Sequence, residues 1–129
     1  MSIANQTQVG GDHYRSDGIQ HWDLITDNYG PTYLLGCATK YLARHRKKNG
    51  KQDLEKAEHY LRKLSEKLQE PGCSLEIYGR ISDDTLAVFT KDMCTADRMV
   101  MLAVFRAQTS DALIRVAGDV AALREEVYG

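Results

Sequence analysis

The spacing of apolar residues along the chain predicts helices. Between about residues 52 and 69, apolar positions alternate steps of three and four, which is typical of a coiled coil or an antiparallel helical hairpin. These positions are Leu54, Ala57, Leu61, Leu64 and Leu68. The opposite side of this predicted helix carries charges of both signs, including Glu58 and Arg62 four residues apart, and we expect it to face water.

A second long helix is predicted over about 31–48, because Pro31 suits a first helical turn and Asn49-Gly50 suits a helix end. Its apolar side comprises Leu34, Leu35, Ala38, Tyr41, Leu42 and His45. A shorter helix is predicted over about 19–28. The two long helices together predict an all-α fold, a small bundle built on a helical hairpin, with residues 1–18 as a loop-like arm.

The sequence Glu70-Pro71-Gly72 ends the hairpin and is the best candidate for a linker. We therefore divide the chain into residues 1–72, a helical domain, and 73–129, a helical extension that packs in the same globule or forms an oligomer interface. Short helices are predicted over about 83–92, 96–107 and 111–128, with Ser82, Thr95 and Ser110 as N-caps. A competing interpretation makes 75–90 a small β-hairpin, because short apolar runs are ambiguous.

Charge is distributed unevenly along the chain. The 129 residues carry a net charge of -1, but the window 40–51 has six Lys or Arg and no Asp or Glu. Such a local excess indicates an anionic partner, most commonly phosphate. The overall balance argues against a nucleic-acid-coating protein, so we expect the partner to be a small phosphate-bearing molecule.

Composition also bears on the compartment and on assembly. The three cysteines have neither paired nor metal-ligand spacing, and the longest apolar run, 99–105, is far shorter than the roughly 20 residues of a membrane span. We expect a soluble cytoplasmic protein. A ligand site in so small a helical chain favours a homo-oligomer, with the leucine seam and the 99–105 run as candidate interfaces.

The basic window contains the first candidate site. Lys40, Arg44 and Lys47 recur at helical spacing and would present cations on one face, where they could hold phosphate oxygens. The competing explanation is a solvated helix end, where the macrodipole favours cations. That explanation suits Lys47 better than Lys40, which lies two turns back.

The second candidate site is in the N-terminal arm. Its residues are Gly10, Gly11, Asp12, His13 and Tyr14. Paired glycines let backbone N–H groups approach a ligand, but an exposed turn explains the same residues at least as well. The aromatic residues Trp22, Tyr33, Tyr41 and Tyr60 are mostly core, although a base could stack on one or two of them. The histidines have no metal-ligand spacing, and we predict no metal site.

The order of these motifs resembles that of a small phage-encoded family of nucleotide kinase-like proteins, many of which have no assigned function. The resemblance covers about Val9 to Leu64 and rests on GGDHY, then IQHWDLI, then LLGCATKYLARHRKKNGKQDLEKAEHYLRKL. It implies nucleotide handling in the cytoplasm of an infected bacterial host. The positions that fit the motifs are Gly10, Gly11, Asp12, His13, Tyr14, Trp22, Lys40, Tyr41, Arg44 and Asp53.

The resemblance leaves two principal functional hypotheses. In the first, the protein is a (deoxy)nucleoside monophosphate kinase that uses ATP without a classical phosphate loop, with Lys40, Arg44, His13 and Asp12 as the catalytic candidates. The requirement for Mg²⁺ is open. In the second, the protein binds or sequesters a nucleotide without converting it. A third and weaker alternative is a helical adaptor that grips a host protein.

Overall fold

The computed structural model describes residues 2–7, 9 and 18–129. Six α-helices follow one another in this part of the chain: α1 (His21–Tyr29), α2 (Thr32–Arg44), α3 (Lys51–Lys67), α4 (Asp83–Thr90), α5 (Thr95–Arg106) and α6 (Ser110–Tyr128). Two short 3₁₀ turns, Ala4–Gln6 and Glu76–Tyr78, complete the regular structure. The all-α prediction is therefore confirmed, and the competing β-hairpin at 75–90 is wrong, because a 3₁₀ turn and α4 occupy that segment.

The core lies where α3 packs between α2 and α6. The predicted seam of α3 supplies Leu54, Ala57, Leu61 and Leu64, all completely buried, and Leu34, Ala38 and Leu42 of α2 face them. From α6 come Leu113, Val116, Val120 and Leu123. Because each face is apolar at steps of three and four, each helix can bury one side and leave the other in water.

The second predicted helix ends earlier than expected. α2 stops at Arg44, and residues 45–50 form turns in which the Gly50 N–H donates to the His45 carbonyl oxygen at 2.9 Å. His45 lies on the inner side, as predicted: its side chain is buried and hydrogen-bonded to Asp97 of α5 and Tyr128 of α6. Lys47 therefore lies in the turn, beyond the helical face that carries Lys40 and Arg44.

Two N-cap predictions also need correction. Ser82 caps α4 as predicted, its Oγ accepting a hydrogen bond from the Thr85 N–H. The N-cap of α6, however, is Thr109, because the Ser110 hydroxyl instead donates to the Ser65 carbonyl oxygen of α3. The N-cap of α5 is Cys94, one residue before Thr95.

Gly50, between α2 and α3, has a backbone conformation that only glycine adopts easily. Its φ is +54°, and a Cβ added there would lie 3.3 Å from Cε1 of Tyr128. We expect Gly50→Ala to lower the free energy of unfolding by about 2 kcal/mol, because an L side chain strains this backbone. Gly118→Ala is the matched control: that glycine lies within α6 with open space around it, so alanine should stabilise the protein by about 0.5–1 kcal/mol. Urea denaturation measures both, and equal effects would contradict the prediction.

Within residues 2–7, 9 and 18–129, every helix is too short or too polar to span a membrane.

Candidate functional site

Three cations surround the ring of Tyr41 on the outer side of the α2–α3 hairpin. The distances to its ring centre are 4.6 Å from Lys40 Nζ, 4.7 Å from Arg44 Cζ and 5.2 Å from Lys56 Nζ. We call these four residues the cation–tyrosine cluster. Lys40, Tyr41 and Arg44 come from α2 at helical spacing, and Lys56 comes from α3 across the hairpin.

Positive charge in the cation–tyrosine cluster is only partly balanced. Arg44 pairs with Asp53, its Nη2 lying 3.2 Å from Oδ1. Within the described ranges, no carboxylate lies at ion-pair distance from Lys40 or Lys56. Since both ammonium groups lie within 5.2 Å of the same ring centre, they are no more than about 10 Å apart. An anion beside the ring would therefore be attracted by several charges at once.

Asp53 holds the inner side of the site in place. Its side chain is completely buried, and its carboxylate accepts hydrogen bonds from Arg44 Nε and Nη2 and from the backbone N–H of Asn49. The carboxylate thus joins the end of α2, the turn and the start of α3. Because these bonds occupy its oxygen atoms, Asp53 orients Arg44 and is shielded from direct contact with a ligand.

An aromatic cavity opens next to the cation–tyrosine cluster and shares Tyr41 and Lys56 with it. The Tyr41 and Tyr60 rings are stacked with their centres 5.9 Å apart, and Trp22 meets Tyr60 edge to face at 5.6 Å. We call this space the Trp22 cavity. It is lined by Val9, Gln20, His21, Trp22, Tyr41, Lys56, His59 and Tyr60.

The Trp22 cavity measures about 60 Å³, well below the roughly 300 Å³ at which pockets begin to enclose whole ligands. A base would therefore lie against its opening and would stay partly in water. Val9, directly before the segment 10–17, and Gln20, three residues after it, both line the cavity. The candidates Gly10, Gly11, Asp12, His13 and Tyr14 lie outside the described residues, and their roles stay predictions.

A network around Asn5 fixes the wall of the cavity. Asn5 Oδ1 accepts hydrogen bonds from Trp22 Nε1 at 2.6 Å and from Lys63 Nζ at 2.9 Å, and Asn5 Nδ2 donates to Asp23 Oδ2 at 2.8 Å. Asp23 also pairs with Lys63 and Lys67. Asn5 therefore joins the N-terminal turn to α1 and α3 and sets the position of the indole ring.

The same network corrects our expectation that the charged side of α3 faces water. The side chain of Lys63 is only 3% exposed and that of Lys67 10%. Burial alone would raise the pKa of Asp23, but hydrogen bonds from Lys63, Asn5 and Lys67 lower it below its usual value. The pairing with α1 offsets the desolvation of the lysines, while Glu58 and Arg62 form the predicted ion pair at 2.9 Å.

His59 makes the stability of this region sensitive to pH. Its Nε2 lies 2.7 Å from the Ala4 carbonyl oxygen, and burial lowers its pKa below the usual value, although that bond and the charges of Glu66 and Glu58 oppose the shift. The unfolded chain therefore binds this proton more readily than the folded one, so stability is lost as pH falls below about 6.5. In urea denaturation between about pH 7.5 and 5.5, the decline should be smaller for His59→Gln than for the wild type. Identical slopes would contradict this role.

A larger hollow beside the N-terminal turn, of about 480 Å³, has charged walls of both signs. Its cations are Lys51, Arg62 and Arg124, and its carboxylates are Glu55, Glu58, Glu66 and Glu125. Because its four carboxylates outnumber its three cations, this hollow does not favour an anion. The cation–tyrosine cluster, whose cations are only partly balanced, is the better candidate for an anion site.

Comparison with known protein families gives a match that covers the cation–tyrosine cluster. Residues 9–62 match the model of a family described as "Protein of unknown function (DUF3310)". Neither the curated proteins nor the solved structures gave a match. The matched range includes the cation–tyrosine cluster and Asp53, but the family description names no activity, so the nucleotide kinase-like part of the resemblance stays a prediction. Residues 9–62 of the chain are similar to this family of unknown function.

Proposed function

We propose that this protein binds a nucleotide, with phosphate on the cation–tyrosine cluster and the base at the opening of the Trp22 cavity. The observation that carries the proposal is that Lys40, Arg44 and Lys56 converge on the ring of Tyr41. Of these three cations, only Arg44 is paired with a carboxylate of the described chain, that of the buried Asp53. Nucleotides join an anionic group to a flat aromatic one. The cation–tyrosine cluster suits the phosphate, and the opening of the Trp22 cavity suits the base.

Electrostatics favours a phosphate group with two or more negative charges. Lys40 and Lys56 are within about 10 Å of each other and repel, and the ring of Tyr41 compensates them only weakly. A phosphate between them would receive charge-assisted hydrogen bonds from both ammonium groups. Arg44, held by Asp53, keeps part of its guanidinium toward solvent, since its side chain is 34% exposed.

The aromatic wall favours a base over a simple anion. Trp22 is held by its hydrogen bond to Asn5, and Tyr60 is held between Trp22 and Tyr41, so the wall is rigid before a ligand arrives. A prearranged surface loses less conformational entropy when it binds. A base stacked at this opening would contribute on the order of 1–3 kcal/mol.

As an enzyme, the protein would be a (deoxy)nucleoside monophosphate kinase. An oxygen of the 5′-phosphate attacks the γ-phosphorus of ATP, the bond to the β-phosphate oxygen breaks, and the products are a nucleoside diphosphate and ADP. Such transfer needs mainly alignment and positive charge around the moving group, which Lys40 and Arg44 would supply. His13 and Asp12 remain the further catalytic candidates.

One observation favours binding without turnover. In the described part of the chain, Asp53 is the carboxylate that pairs with Arg44. Its oxygen atoms are bonded to Arg44 and to the Asn49 N–H, and its side chain is completely buried. It is therefore poorly placed to hold a metal ion beside a transferring phosphate. A protein that sequesters a nucleotide would need only the cations and the aromatic wall.

Calorimetry and a product assay separate these two functions. Purified protein is titrated with each common deoxynucleoside monophosphate, and the same mixtures are then incubated with ATP, with and without Mg²⁺. We expect binding of at least one nucleotide; diphosphate and ADP in equal amounts identify the kinase, and a bound nucleotide recovered unchanged identifies the sequestering protein. If no nucleoside monophosphate and no ATP binds at millimolar concentration, the proposal is wrong.

A further inference from the structure

One face of α4 points away from the rest of the protein and combines a charged residue at each end with an apolar centre. Asp84, Val88 and the C-cap residue Lys91 follow each other at steps of four and three, and Lys91 keeps a helical backbone conformation, so they lie on the same side. All three are exposed, Val88 by 67%. The opposite side holds Leu86 and Thr90, which are buried.

The surroundings of this face are apolar as well. Phe89 is 51% exposed and meets Phe105 of α5 edge to face, and Met99 of α5 is 66% exposed. Among the helices in the described ranges, α4 packs only against α5. Exposed apolar side chains concentrated on one short helix and its neighbour are unusual on a surface that faces only water.

We propose that α4 is the contact between two copies of this chain, arranged antiparallel about a two-fold axis. In that arrangement Asp84 of one copy lies opposite Lys91 of the other, the same pair forms again at the far end, and Val88 meets Val88 on the axis. A two-fold interface requires such self-complementarity. Within the described chain, neither Asp84 nor Lys91 has a partner at ion-pair distance.

The size of the face sets the strength of the contact. Two short helices with their flanking side chains bury less than the roughly 1,200 Å² at which stable interfaces begin. The dimer is therefore weak and depends on concentration. The antiparallel direction also aligns the helix dipoles favourably and places the acidic N-terminal turn of each helix beside the C-cap residue Lys91 of the other.

Charge reversal tests both the surface and its symmetry. Asp84→Lys and Lys91→Asp each replace two attractive contacts with two repulsive ones in a homodimer. An equimolar mixture of the two variants restores an opposite-charge pair at both ends of a heterodimer. Asp119→Lys, at an exposed position of α6, is the control with the same change of charge as Asp84→Lys. Sedimentation velocity over a wide concentration range, with circular dichroism to compare helix content, reports the result.

We expect the wild type and Asp119→Lys to dimerise equally, each single reversal on α4 to raise the dimer dissociation constant about tenfold or more, and the mixture to recover dimers. Recovery excludes unfolding of α4 as the cause of the loss. The proposal is overturned if the wild type stays monomeric at all concentrations, if single reversals leave the dimer unchanged, or if mixing fails to restore it. None of these outcomes depends on nucleotide binding.

Discussion

Changing both Lys40 and Lys56 to alanine is expected to weaken the binding of a nucleoside monophosphate about 100-fold. Each ammonium group lies beside Tyr41 without a described carboxylate partner, so each is available to phosphate. A charge-assisted hydrogen bond contributes about 1.5–3 kcal/mol, and the loss of two corresponds to at least this factor. Isothermal titration calorimetry with the nucleotide that binds the wild type measures the change.

The matched control is Lys48→Ala combined with Lys51→Ala, which removes the same charge from exposed positions of the nearby turn and the start of α3. General attraction of an anion to a basic region would weaken both double variants alike. A local site predicts a change of less than about threefold for the control, because exposed charges at a distance are screened. Equal losses in the two variants would show that the cation–tyrosine cluster is not the site.

Asp97→Ala is expected to lower the free energy of unfolding by about 3 kcal/mol. Asp97 Oδ2 accepts hydrogen bonds from His45 Nε2 at 2.9 Å and from Arg46 Nε at 2.7 Å, while His45 Nδ1 lies 2.8 Å from Tyr128 Oη. Alanine would leave the His45 N–H buried without an acceptor. Burial alone would raise the pKa of Asp97, but the hydrogen bonds from Arg46 and the charges of His45 and Arg46 hold it below its usual value.

The comparison variant is Arg46→Ala. The Arg46 side chain is 43% exposed, so its removal leaves Asp97 bonded to His45 and costs about 1 kcal/mol or less. Urea denaturation at neutral pH measures both variants. If Asp97→Ala were no more destabilising than Arg46→Ala, the buried bond to His45 would not be what joins the turn after α2 to α5 and α6.

Helix positions could be predicted from the sequence because the apolar spacing records which side of each helix is buried. The seam of α3 from Leu54 to Leu64 is an example, since local spacing and final burial agree. The partners of the buried His45 side chain could not be predicted in this way. Asp97 and Tyr128 lie 52 and 83 positions further along the chain, and the spacing within one helix contains no information about them.

The buried lysines of α3 were missed for a similar reason. Lys63 and Lys67 look like members of a solvated face until Asp23 of α1 is known to lie beside them. Periodicity describes one helix and contains no information about which charged face meets another. Only the tertiary arrangement decides whether a lysine is hydrated or paired.

The candidate site also combines residues that could be predicted from one helix with residues that only the tertiary structure brings together. Lys40 and Arg44 could be grouped from the sequence because they share one helical face, and Tyr41 was predicted on the adjacent apolar side of the same helix. Lys56 was missed, although the antiparallel register of the predicted hairpin offered a signal, since it brings the start of α3 back alongside the end of α2. Asn5, which fixes Trp22, carried no local signal at all.

A structure determined with a bound nucleoside monophosphate tests the central claim most directly. Crystals are soaked with the nucleotide that gives the tightest binding in calorimetry, and the difference density locates its phosphate. We predict a phosphate within about 3 Å of Lys40 Nζ and Lys56 Nζ, with the base at the opening of the Trp22 cavity. A phosphate bound elsewhere on the protein, with the cation–tyrosine cluster left unchanged, would contradict the account.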